Sequence, residues 1–152
     1  MGRRSHRAGP PGGAWWGVVV LYSAAIFAAS STDSIPAGRP RFPGADKWLH
    51  FGAFALWSFF FAQALGASAP RLGPACRVAL TLVATVLYGA SDEIHQAFVP
   101  GRDSDGWDLA ADAFGGLAGA LAGLVLAAWT QRRRRRRDPS ARSSPRVERD
   151  AV

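Results

Sequence analysis

Apolar and polar positions fall in long blocks along this chain, and no period-two alternation of the kind that marks strands is present. Three runs are plainly apolar: Trp15 to Ser30, Trp48 to Gly66, and Leu109 to Trp129. A fourth run, between the last two, begins near Cys76 and is free of ionisable groups only from Val78 to Ser91. A membrane-crossing helix needs roughly 20 residues at about 1.5 Å rise each. The runs at 48–66 and 109–129 meet that length, and the run from Cys76 meets it if its helix continues through Asp92 and Glu93 to about His95. Little chain is left over for a soluble core. The pattern predicts an all-α integral membrane protein, a four-transmembrane-helix bundle with helices at about 15–31, 47–66, 76–95 and 108–129. These form one domain, 15–129, between a disordered basic N-terminal tail, 1–14, and a disordered polybasic C-terminal tail, 130–152.

Charge adds orientation. Hydrophobic residues make up 49% of the chain, yet mean hydropathy is only +0.03, because 18 Lys and Arg dilute it. Arg3, Arg4 and Arg7 precede the first helix, Arg71 and Arg77 lie between the second and third, and Arg132 to Arg137 follow the fourth. With an even number of spans these regions share one side, which the positive-inside rule assigns to the cytoplasm. Both termini are therefore expected to be cytoplasmic, in a multi-pass protein of the cell membrane. The opposite side collects 8 of the 11 acids, among them Asp92, Glu93, Asp103, Asp105, Asp108 and Asp112. The basic start and small residues of the first run also suit a cleaved signal peptide. That run is long for a signal and lacks a clean cleavage pattern, so a retained helix is expected.

The six consecutive arginines fit a membrane anchor better than a nucleic-acid site. A polybasic stretch directly after a span is drawn to anionic lipid, and no aromatic residue interleaves it as single-strand binding requires. No nucleic-acid partner is expected. The single cysteine, Cys76, excludes an intrachain disulfide.

The candidate chemistry lies in three polar clusters at the acid-rich end. "ADKWLHFGAF" opens the second helix, with Asp46 and His50 as i, i+4 neighbours and Lys47 beside them. "SDEIHQ" closes the third, where Asp92 and Gln96 share a face and Glu93 points about 100° away. Asp108 and Asp112, again i, i+4, open the fourth. His50, the Asp92/Glu93 pair and Asp112 thus reach a similar depth from three helices. Ionisable groups there are costly unless they face one another or a wet cavity, and such residues mark function by default. Pro100-Gly101 suits the centre of a type II turn, which would aim Arg102 at the acids or at an anionic ligand. Gly115, Gly119 and Gly123 form a close-packing face on the fourth helix.

"DKWLHFGAF" followed by "SDEIHQAFVPGRDSDGWDLAADAFGG" resembles the VanZ-like family of small bacterial membrane proteins. The resemblance covers roughly residues 45–123 and is carried by Asp46, Lys47, His50, Phe51 and Phe54, then by Asp92, Glu93, Gln96, Pro100, Gly101, Arg102 and Asp108. Asp112 departs from the pattern, standing where the family usually has Asn. The resemblance implies a bacterial inner-membrane protein of the cell envelope, linked to resistance against teicoplanin-type glycopeptides. It implies no settled reaction, so the residues must supply one.

The first reading is a site facing outside that recognises an anionic lipid or a lipid-linked envelope precursor through Asp46, Lys47, Gln96, Arg102, Asp108 and Asp112. A second is a membrane enzyme hydrolysing or transferring a phosphate-containing headgroup, with His50 as base or nucleophile and Asp92 or Glu93 orienting it. In a third, the same charges are only a structural salt-bridge network. A metal held by His50, His95 and the acids lacks any spaced signature such as His-Glu-x-x-His, so no metal or other cofactor is expected. A homo-oligomer could form through the Gly115/Gly119/Gly123 face.

Overall fold

A computed structural model of the chain describes residues 12–32, 44–102 and 104–137. Four helices account for almost all of them: α1 (Gly12–Ser30), α2 (Ala45–Ser68), α3 (Pro74–Gln96) and α4 (Gly106–Arg137). All four are long and apolar enough to cross a membrane, and there is no strand among the described residues. Asp33, Asp103 and the stretches 1–11 and 138–152 lie outside the described residues, as do the tail expectations that fall on them.

The helix ends have local causes. Pro74 opens α3 in its first turn, where a missing amide hydrogen is harmless. α3 then runs through Asp92 and Glu93 to Gln96, as a membrane-length helix required. One boundary needs correction: α4 continues to Arg137, so 130–137 is helix and not the start of a disordered tail. Arginine is a good helix former and suits a helix C-terminus, where its charge opposes the dipole. Arg133 also lies 3.9 Å above the Trp129 ring, a cation–π contact within the last turns.

α2 sits at the centre, touching α1, α3 and α4, while α1 and α4 do not meet. Lipid removes most of the hydrophobic drive for helices to associate, so close backbone approach and interhelical hydrogen bonds must hold the bundle. Both are present. A Cβ on Gly115 would overlap the Phe51 carbonyl, and one on Gly119 the Ala55 carbonyl, so α4 lies directly on the α2 backbone. The Gly115, Gly119 and Gly123 face thus serves as the close-packing face for a neighbouring helix, here α2. Ser58 and Thr85 hydroxyls join α2 to α3 at 2.6 Å beside Gly116 of α4. Trp57 donates to Ser23 Oγ at 2.8 Å and Tyr88 to the Ser23 carbonyl at 2.7 Å, joining α1, α2 and α3. Large apolar side chains such as Leu21, Val83, Leu87 and Val125 point outward, as lipid-facing positions do.

Candidate functional site

The α1 C-terminus, the α2 N-terminus, the α3 C-terminus and the α4 N-terminus meet at one end of the bundle, and the expected clusters meet with them. Two turns position the loop between α3 and α4. The Arg102 amide donates to the Val99 carbonyl at 3.2 Å across Pro100-Gly101, and Gly101 has φ +77°. This is the type II turn that Pro then Gly predicted, since only glycine adopts that φ without strain. Asp105 then caps α4, its Oδ1 accepting from the Trp107 amide at 2.9 Å.

Lys47 is the electrostatic hub of the rim. Its ammonium lies 3.0 Å from Asp46, 2.8 Å from Asp105 and 3.2 Å from Asp108, so it ties the start of α2 to the start of α4. The Lys47 contact, helped by the Trp107 amide, holds the Asp105 carboxyl below the usual carboxylate range.

One turn deeper, His50 Nδ1 lies 3.1 Å from Asp112 Oδ1, and its Nε2 faces Asp108 Oδ2 at 4.0 Å. Asp112 is completely buried, wedged against α3 where Gly89 has no side chain: a Cβ there would lie 2.7 Å from Asp112 Oδ2. Glu93 completes this group from α3. One ligand-capable atom each of His50, Glu93 and Asp112 lie within 4.8 Å of one another. Glu93 Oε2 accepts from Ser104 Oγ at 3.1 Å and from the Asp105 amide at 2.9 Å, while Oε1 has no partner among the described residues.

Asp92 and Arg102 lie elsewhere than expected. Sequence depth placed Asp92 with His50 and Asp112, with Arg102 across the mouth. Instead Asp92 Oδ2 accepts from Ser30 Oγ at 2.9 Å and from Gln96 Nε2 at 2.7 Å, tying α3 to the end of α1. Arg102 Nη2 donates to the Ala29 carbonyl at 3.0 Å, where it caps the α1 C-terminus. Glu93, about 100° round the helix, is the acid that meets His50. His95 is also apart, stacked on Phe27 with centroids 4.4 Å apart and 3.0 Å from Ser31 Oγ. Ser30, Ser104 and Gly89 were not anticipated. Ser30 and Gly89 are small residues in apolar helices within a turn of an acid, a signal readable in hindsight.

The fold and site together define a four-helix membrane bundle with buried ionisable residues from three helices gathered near one end. The chain belongs to the VanZ/LLP1 family, whose model matches residues 13–127. No curated protein and no solved structure matches the chain. Family and helices together support a multi-pass membrane protein.

Proposed function

We propose that this end of the bundle faces outside, with both termini cytoplasmic, and binds the headgroup of an anionic lipid or a lipid-linked envelope precursor. The observation that carries this reading is the buried His50–Asp112–Glu93 group, drawn from three helices in a bundle whose outer surface is apolar. Such groups are expensive at membrane depth and are kept where they handle a ligand. Among the described residues of this end, six acids (Asp46, Asp92, Glu93, Asp105, Asp108, Asp112) stand against Lys47 and Arg102. The headgroup therefore presents hydroxyl or ammonium donors to the acids and its phosphate to the rim, where the Lys47 ammonium is partly exposed. Glycopeptide resistance of the teicoplanin type belongs to this proposal as its cellular consequence.

The test is mass spectrometry of lipids that co-purify with the protein. A phosphate-bearing species should accompany the wild type and fall about tenfold with Lys47→Gln, which removes the partly exposed cation of the rim. Equal amounts from both would contradict the reading. A reporter placed after Trp129 should be cytoplasmic and one near Ser104 external; the opposite pattern contradicts the orientation.

The His50–Asp112 contact favours a second reading, an enzyme acting on the same headgroup. A histidine whose Nδ1 is held by a carboxylate is the arrangement of an oriented general base. Asp112, not Asp92, has the orienting position. Turnover abolished by His50→Ala with headgroup binding retained would select this reading, and lipid profiles unchanged between a deletion strain and its parent would exclude it.

A further inference from the structure

We infer that His50, Glu93 and Asp112 form a binding site for one divalent transition-metal cation of the zinc or manganese class. Sequence spacing argued against a metal, because no local signature is present. The three donors come from α2, α3 and α4, one from each, so no local spacing could have revealed them.

Three independent features converge. The first is donor geometry. An imidazole nitrogen and two carboxylates lie within 4.8 Å of one another, and His50 Nδ1 and Asp112 Oδ1 are 3.1 Å apart. Adjacent ligands of a metal bonded at about 2.1 Å lie roughly 3 Å apart. The second is unused bonding capacity. Glu93 Oε1 and Asp112 Oδ2 are buried without a hydrogen-bond partner among the described residues, on residues only 6% and 0% exposed. Buried carboxylate oxygens are normally satisfied, and two orphans on residues of one cluster call for a missing positive ligand. The third is charge. Lys47 is bound to Asp46, Asp105 and Asp108 and makes no ion pair with Glu93 or Asp112. Among the described residues no Lys or Arg pairs with Glu93 or Asp112, and deep carboxylates of this kind are what a divalent ion neutralises.

The surroundings fit a held site. Ser104 Oγ and the Asp105 amide fix one oxygen of Glu93 and leave the other available. Asp108, anchored by Lys47, faces the second imidazole nitrogen of His50. Outer contacts of this kind orient metal ligands. One nitrogen and two oxygens suit zinc or manganese rather than a thiolate-seeking ion. Three protein ligands leave a coordination position open. The inference rests on the headgroup reading only for what that open position would meet: a phosphate oxygen. The metal would supply the positive charge that the acid-rich cluster lacks.

The experiment uses full-length, tag-free protein in lipid nanodiscs, stripped with chelator and titrated separately with Zn2+ and with Mn2+. Metal alone is the probe, so the result does not depend on whether a lipid binds. One equivalent per chain should bind. Glu93→Gln, Asp112→Asn and His50→Ala should each weaken it by about tenfold or more, since even outer-shell changes reach about 10–100-fold. His95→Ala, which removes a histidine outside the cluster, should leave affinity unchanged. Should a variant fail to fold, the visible spectrum of wild-type protein loaded with Co2+ decides the matter. Bands shifted from those of the aquo ion, saturating at one Co2+ per chain, support the inference, and an unchanged aquo-ion spectrum overturns it. Stoichiometric binding that survives both His50→Ala and Asp112→Asn, or the absence of stoichiometric binding, also overturns it.

Discussion

The two ends of the bundle solve the same packing problem with different chemistry. Toward the α2 C-terminus, α1, α2 and α3 are knitted by rings: Trp57 lies between Phe61 and Tyr88 with centroids 5.0 and 5.2 Å away, and Trp16 packs edge-on to Phe61. Polar contacts there run mainly through neutral groups, such as Trp16 donating to Ser68 Oγ at 2.8 Å; Arg77, packed on Gly66, is a charged exception whose Nε has no partner among the described residues. At the opposite end α2, α3 and α4 meet through carboxylates, a lysine and a histidine, and two carboxylate oxygens remain without partners among the described residues. A region built only for stability leaves no buried acceptor orphaned, because each orphan costs free energy that an apolar residue would not. The aromatic end is scaffold, and the ionisable end has the pattern of a site that awaits a ligand.

Substitutions should separate the two. The largest effect is expected where both ends depend on one contact. Gly119→Leu must push α4 off the Ala55 carbonyl, and it should prevent stable folding, read as loss of a monodisperse peak in detergent. Trp57→Ala opens a cavity in the aromatic end at a cost of about 3 kcal/mol, measured by thermal unfolding, while metal and lipid binding at the far end persist. Asp92→Asn keeps a hydrogen-bonding group between Ser30 and Gln96, so about 1 kcal/mol or less should be lost. That small loss would mark Asp92 as a helix tie and not a site residue.

The smallest effect is a pH response at the rim. Lys47 holds the Asp105 carboxyl below its unfolded value of about 3.9. A depressed folded pKa contributes stability that is fully present above the unfolded value and is lost as pH falls through the folded one. Thermal unfolding should therefore show this pair's contribution full and constant between pH 7 and about pH 5 and declining below about pH 4. Asp105→Asn should flatten that decline.

Much of this division was legible in the sequence. Run length identified four helices, and the need to span a membrane carried α3 through Asp92 and Glu93. The i, i+4 spacings put His50 and Asp112 at matching depths, and the Pro-Gly pair specified the turn before Arg102. The rotation of α3 about its own axis was not legible. Spacing shows that Asp92 and Glu93 diverge, but Ser30 on one side and the Ser104–Asp105 loop on the other decide which acid faces His50. The destination of Arg102 was hidden for the same reason, since the Ala29 carbonyl lies 73 positions away in the chain. The arginines after Trp129 read as a tail because their charge masks a good helix-forming composition.

Asp112→Asn tests most directly whether the ionisable end is a ligand site or a structural salt bridge. Asn keeps the shape and can still accept from His50 while removing one uncompensated charge. Its unfolding temperature and its Zn2+ affinity, measured on the same nanodisc preparation, should diverge: stability unchanged or raised, and affinity down about tenfold or more. A loss of about 3–5 kcal/mol, the usual cost of breaking a buried ion pair, with metal affinity intact would contradict the account.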